Sequence, residues 1–173
     1  MAEDRRPTSH KPTNTKPPGR VVAKAVPSPS GTARFGAPVG PGAGAEHCIS
    51  CSIRHLSMCA ALELDELSDL EAVVAAVSLP PGKVLFDEGD QADHVFNVTS
   101  GTIRLFKALP DGRRQITGFL LPGDFLGLSA RDGYAYSAEA VTETELCRFP
   151  VRELKQLFDR YPKMEARLLD MTG

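Results

Sequence analysis

From residue 80 to residue 150 the chain is broken about every ten positions by turn-forming residues: PPG at 80–82, Gly101, PDG at 110–112, PGD at 122–124 and RDG at 131–133. Between and around them lie the short runs KVLF, DEGDQ, HVFNVTS, TIRLFKAL, RRQITGFLL, FLGLS, YAYSAEAV and TELCRF. Most are rich in β-branched and aromatic residues. That rhythm predicts antiparallel hairpins, about eight strands in all, closing into a sandwich or barrel. PDG is the strongest turn, because Pro presets one dihedral and Gly accepts the left-handed one.

On either side the period changes. ALELDELSDLEAVVAAV at 61–77 sets Leu64, Leu67, Leu70, Val74 and Val77 at spacings of three and four, which predicts a helix with one apolar face. VRELKQLFDRY at 151–161 opens after Pro150 and stops at Pro162. A second helical start, KMEARLLDM, breaks off at Gly173. So short a final helix is expected to pack poorly, which suggests a fragment or a truncated product. No internal repeat is apparent.

Residues 1–46 hold seven Lys/Arg against three Asp/Glu, a net +4 in a chain of net charge −2, with eight of the 14 prolines and six of the 15 glycines. Such a segment buries too little surface to offset chain entropy and is expected to be a disordered, solvated tail. The rest is long enough for one core and not two. The overall charge argues against a general nucleic-acid coat. Pro and charged residues interrupt any apolar run of signal-peptide or membrane-span length, so a cytoplasmic location without membrane contact is expected. Disulfides are then improbable, and clustered cysteines point to metal or redox chemistry.

The clustered cysteines are in HCISCSIRHLSMC at 47–59: Cys48, Cys51 and Cys59 in the spacing C-x2-C-x7-C, with Cys147 far downstream. Soft thiolates select zinc, cuprous copper or iron–sulfur clusters, and four complete either a tetrahedral zinc site or a cubane. One knuckle, a looser third cysteine and a distant fourth suit a cluster at a domain edge better than a compact zinc turn. Zinc and unligated thiols stay open on spacing alone. Cys147 shares strand parity with Val141 and Phe149 but also with Glu143 and Glu145, so alternation does not assign its face. His47 keeps a mixed Cys/His zinc site in view.

The succession C-x2-C-S-I-x-x-L-x-x-C, LFxxGDxxxxxFxVxSGTIRLFK, QITGFLLPGDFLG and ETELCRFP resembles the FNR branch of the CRP/FNR family of bacterial transcription regulators, from about Cys48 to the end of the chain. The gap before Cys59 looks like the FnrN/FixK-type variant. The resemblance implies a fold that is mainly β with flanking helices, a double-stranded β-helix of the cyclic-nucleotide-binding jelly-roll type preceded by a cysteine loop and helix. It implies a sensor domain holding an oxygen-labile 4Fe-4S cluster on Cys48, Cys51, Cys59 and Cys147. In the family an intact cluster favours a DNA-binding homodimer, and oxygen degrades it to a 2Fe-2S form that releases the dimer. Ser52, after the second ligand, is a candidate hydroxyl donor to cluster sulfur, with a local turn hydroxyl as the alternative. Arg54 and His55 are candidates for partial charge neutralisation, though solvent-facing charge suits them as well.

The expected organisation is a tail at 1–46, a cluster-binding loop at 47–60, a β-roll with its leading helix at 61–162 and the start of a dimerisation helix at 163–173. The family's winged helix-turn-helix is absent, so promoter DNA is an expected partner only with that missing domain present. The PDG hairpin, Leu109 to Arg113, matches the family loop that contacts RNA polymerase. Relatives that bind cyclic AMP carry a Gly-Glu pair and an Arg before Ser/Ala; here Leu128 follows Gly127 and Tyr136 precedes Ser137, with Arg131 displaced from the motif. Without that charge pair no cyclic nucleotide is expected to bind. There is no phosphate loop and no Ser/His/Asp pattern at useful spacing, so an enzyme is not expected. A zinc-stabilised structural module and a cyclic-nucleotide-binding β-roll are the competing readings.

Overall fold

A computed structural model of the chain describes residues 46–129 and 132–172, and of Glu46 and His47 only the backbone. The expected tail, Arg131 and the His47 imidazole lie outside the described residues.

The chain starts with a one-turn helix, α1 (Glu46–Ile49), then two 3₁₀ turns, Arg54–Leu56 and Met58–Ala61, and a short helix α2 (Leu67–Glu71). Eight strands follow: β1 (Ala75–Leu79), β2 (Val84–Phe86), β3 (His94–Ser100), β4 (Ile103–Ala108), β5 (Arg114–Leu120), β6 (Phe125–Leu126), β7 (Ser137–Ala140) and β8 (Thr144–Pro150). Helices α3 (Val151–Arg160) and α4 (Pro162–Thr172) end the described chain. The strands form two four-stranded antiparallel sheets, in the orders β1-β8-β3-β6 and β2-β7-β4-β5. This is the expected jelly roll, mainly β with flanking helices.

The apolar residues form two cores rather than the one expected, because alternation along β3 and β8 divides them between the two faces of the first sheet. Phe96, Val98 and Leu146 point into the roll, where they meet Val77, Leu79, Phe86, Ile103 and Leu126. Their neighbours Val95, Cys147 and Phe149 point the other way, into a second core with Met58, Leu62, Leu67, Leu70, Leu154, Met164 and Leu168. The first sheet is therefore covered on both faces. That explains why parity could not assign Cys147: apart from Glu145, which is exposed near the start of β8, both faces of the strand are buried or half-buried.

The turns follow the glycines. Gly101 joins β3 to β4 at φ +82°, and a Cβ there would lie 2.3 Å from the Glu143 carbonyl oxygen, so only glycine fits. At the PDG hairpin, Leu109 N–H donates to the Arg113 carbonyl at 2.8 Å, and Gly112 takes φ +84°.

Three further sequence expectations change. The helix expected over 61–77 is reduced to Leu67–Glu71, with Leu64 61% exposed, and its last residues, Ala75 to Val77, belong to strand β1. Val77 and Leu79 are buried while Ser78 is exposed, and Ala76 and Val77 pair with Cys147 and Leu146. The free edge of β8 captures a segment whose valines have low helix and high strand propensity. DEGDQ is a turn rather than a strand: Asp90 Oδ2 accepts from Asp87 N–H at 3.0 Å, and β1 takes its place among the eight. Finally, α4 does pack. Pro162 stands at its start, where a missing N–H costs nothing, and Met164 and Leu168 are buried against the cysteine segment. Among the described residues no helix is long and apolar enough to cross a membrane.

Candidate functional site

The second core contains the site. Cys48 sits on α1, Cys51 in the turn that follows, Cys59 on the second 3₁₀ turn and Cys147 in the middle of β8. All four line one cavity, walled on the roll side by Val74, Asn97 and Phe149 and on the leader side by Ile53, Arg54 and Ser57. Residues 88 positions apart in sequence, Cys59 and Cys147, thus share one space.

Local polar contacts fix the leader. Glu71 Oε1 accepts from the Cys48 N–H at 3.0 Å, holding α1 to the end of α2. Ser57, fully buried, caps the second 3₁₀ turn: its Oγ accepts from Cys59 N–H at 3.3 Å and donates to the Arg54 carbonyl at 3.1 Å. Arg54 Nη2 donates to the Leu62 carbonyl at 2.8 Å. A chain without long helices is otherwise weakly specified here, so these bonds set where the thiols point.

Burial keeps the thiols of Cys48, Cys59 and Cys147 protonated. Burial pushes Cys48 up to about 12, with Cys59, Glu71 and Cys51 adding to the rise. Burial raises Cys147 as well, and the nearness of Cys59, Cys48 and Cys51 adds to that rise. Cys59 is also raised, mainly by burial, with the Ser57 hydrogen bond and the Arg54 charge pulling the other way. Buried thiols held protonated in one pocket with a fourth cysteine are a ready soft-metal donor set, since metal displaces the protons.

The pocket also holds polar atoms that its own residues leave unpaired. Arg54 Nε and Asn97 Oδ1 are buried without a hydrogen-bond partner. Each such atom costs about 1–3 kcal/mol when it stays unpaired. Asn97 is 1% exposed and stands directly opposite Cys147 in the β3–β8 register. The four sulfurs and the unpaired Arg54 Nε–H fit a soft, anionic group, to which Asn97 would have to present its amide N–H in place of Oδ1. Among the described residues no three His, Cys, Asp or Glu side chains converge tightly enough for one metal ion. A polynuclear core spans a wider ring of donors than a single ion does.

Other residues singled out by sequence fall differently. Ser52 is exposed and is not part of the cavity wall; the serine that is, Ser57, stands two residues before Cys59. Its position after a turn hides it, since capping is legible only once the 3₁₀ start is known. Arg54 lines the cavity, while His55 is exposed. Asn97 escaped the sequence reading, although a carboxamide inside HVFNVTS, among apolar strand residues, is the signal that could have found it.

In the roll, where a nucleotide would lie in related folds, Tyr136 Oη accepts from the Gly127 N–H at 3.2 Å, and Tyr134 stacks on Phe86 with ring centroids 3.7 Å apart. Glu139 is buried and paired with both Arg104 and Arg114.

Residues 76–161 match the model of the cyclic nucleotide-binding domain. The nitrogen fixation regulation protein FixK of Bradyrhizobium diazoefficiens is 36% identical over 125 residues, which cover 72% of this chain and 53% of that protein. The transcriptional activator protein FnrL of Cereibacter sphaeroides is 36% identical over 125 residues, 72% of this chain and 50% of that one. The solved structure of FixK2 from Bradyrhizobium japonicum superposes with a TM-score of 0.53 at 31% identity, covering 58% of this chain and 50% of that chain. The chain spans about half the length of the relatives it matches. With this jelly roll and these relatives, the chain belongs to the CRP/FNR family of transcription regulators.

Proposed function

We propose that this chain is the sensor part of an FNR-type transcription regulator and that Cys48, Cys51, Cys59 and Cys147 hold an oxygen-labile 4Fe-4S cluster. The observation that carries the reading is the shared cavity: three thiols from the leader and one from the roll face the same buried space. When bound, the cluster supplies an oxygen-sensitive tie between leader and roll. The residues do the rest. Glu71 and Ser57 hold the backbone of Cys48 and Cys59 in place, Arg54 brings positive charge to the thiolates, and Phe149 and Val74 limit water. Because the second 3₁₀ turn packs on α4, the state of the cysteine leader bears on where α4 sits. That is a route from cluster integrity to homodimerisation in the cytoplasm.

Two partners complete the proposal. RNA polymerase contact is assigned to the exposed hairpin Leu109 to Arg113, where Asp111 accepts from Arg113 N–H at 3.0 Å and keeps the tip rigid. Promoter DNA contact belongs with the half of the relatives' length that the match does not span. The relatives named above are regulators, and a non-catalytic role is proposed here too. The description of the matching family model favours a second reading, a cyclic-nucleotide-binding roll. Against it, Tyr136 and Leu128 occupy the positions where a phosphate-binding Arg and a ribose-binding Glu would be needed.

The test is metal and sulfide analysis of protein purified without oxygen. Brown protein with about four iron and four sulfide per chain that bleaches in air is expected. Colourless protein with one zinc supports the structural module instead, and a dose-dependent rise in melting temperature with cyclic AMP supports the nucleotide reading.

A further inference from the structure

Asn97 sits in the centre of β3, a position that strand propensity disfavours for asparagine. It is 1% exposed, and its Oδ1 finds no hydrogen-bond partner. In register it faces Cys147 across the β3–β8 pair, and both line the cysteine cavity with Phe149. Directly opposite residues in an antiparallel pair have Cβ atoms about 5 Å apart, within reach of one short side chain. A leucine, alike in branching, would stand there without leaving a polar atom unpaired. A buried carboxamide kept there signals a partner that the protein alone does not supply.

We propose that Asn97 is a hydrogen-bond donor of the cysteine site, its carboxamide N–H serving the sulfur of metal-bound Cys147 and thereby setting how readily the cluster is lost in air. The proposal rests on the cluster reading above. A carboxamide carries oxygen on one side and NH₂ on the other, and a half-turn of its terminal bond exchanges them. Protonated thiols offer weak donors as well as acceptors, whereas metal-bound thiolate and sulfide only accept. The Oδ1 meets no donor where it now stands, and rotating the amide would replace it there with an N–H from which a metal-bound sulfur can accept. N–H···S bonds stabilise the more negatively charged, reduced state, so they raise the reduction midpoint and slow oxidation. Asn97 is a positioning and tuning residue, not a ligand.

The experiment compares the full chain with Asn97→Leu, all reconstituted without oxygen. Equal iron and sulfide per chain are expected, with visible absorbance lost in air about tenfold faster in Asn97→Leu and a lower reduction midpoint. The pair Asn97→Thr and Asn97→Val, alike in shape and differing by one hydroxyl donor, guards against a leucine variant that fails to fold. The threonine chain should keep the parent decay rate and midpoint, and the valine chain should follow leucine. A fully loaded Asn97→Leu, or a Thr/Val pair, with parental decay and midpoint throughout overturns the role of Asn97 and leaves the cluster intact as a reading. A parent chain that takes up no iron overturns both.

Discussion

Arg167 on α4 reaches back to the cysteine leader, donating from Nε to the Ser57 carbonyl at 3.1 Å and from Nη2 to the His55 carbonyl at 3.0 Å. Ser57 in turn caps the turn that carries Cys59. A guanidinium on the final helix and a thiol of the cavity are thus joined through one buried serine. The fork geometry of arginine spans two carbonyls two residues apart, which a lysine cannot do.

Removing that clamp should loosen α4 first. Arg167→Ala is expected to lower unfolding stability by about 1–2 kcal/mol, since both bonds are partly exposed and screened. Arg167→Lys should recover less than half of the loss. Urea titration of the metal-free chain checks this, and an unchanged midpoint in Arg167→Ala would remove Arg167 from the coupling between leader and α4.

The donor set is tested most sharply at Cys147, the only roll residue among the four. Cys147→Ser places a hydroxyl against Phe149 and Val74, costing the metal-free fold about 1–2 kcal/mol. Anaerobic iron and sulfide uptake should fall to a small fraction of the parent value. A serine variant that keeps the full content of the parent takes Cys147 out of the ligand set.

The β-roll was legible because glycines and prolines mark its turns, and a φ of +82° at Gly101 is a demand that sequence expresses directly. The leading helix was misread for a physical reason: Leu67, Leu70, Val74 and Val77 satisfy helical spacing, yet only Leu67 and Leu70 are helical. An apolar segment of alanine and valine fits either period, and the open edge of β8, far away in sequence, decided between them. The four cysteines were legible by type, and their common cavity is a matter of tertiary structure. Ser57 and Asn97 were not legible, because their significance lies in what they face across a turn and across a strand pair.

Backbone strain at the β3–β4 turn makes a separable prediction. Gly101→Ala forces a Cβ into the Glu143 carbonyl and adds left-handed strain, an expected loss of about 3 kcal/mol. Gly89→Ala meets open space at φ +87° and should lose only about 1 kcal/mol. Thermal unfolding of the two variants side by side measures the difference, and equal losses would show that crowding at Glu143 has no cost.

The buried thiols also impose a pH dependence on the metal-free chain. Cys48 ionises near its ordinary 9.0 once unfolded, but in the fold burial holds it protonated up to about 12, with Cys59, Glu71 and Cys51 opposing a further negative charge. Cys147 is raised in the same sense. Between those limits the folded chain binds more protons than the unfolded chain, so stability falls as pH rises. The contribution is complete below pH 9 and is lost as pH climbs toward 12. Urea midpoints should therefore hold steady from about pH 7 to 8.5 and decline above that. The double variant Cys48→Ala, Cys147→Ala should decline less steeply over the same range; identical slopes in the two chains would mean that these thiols ionise in the fold as freely as they do in the unfolded chain.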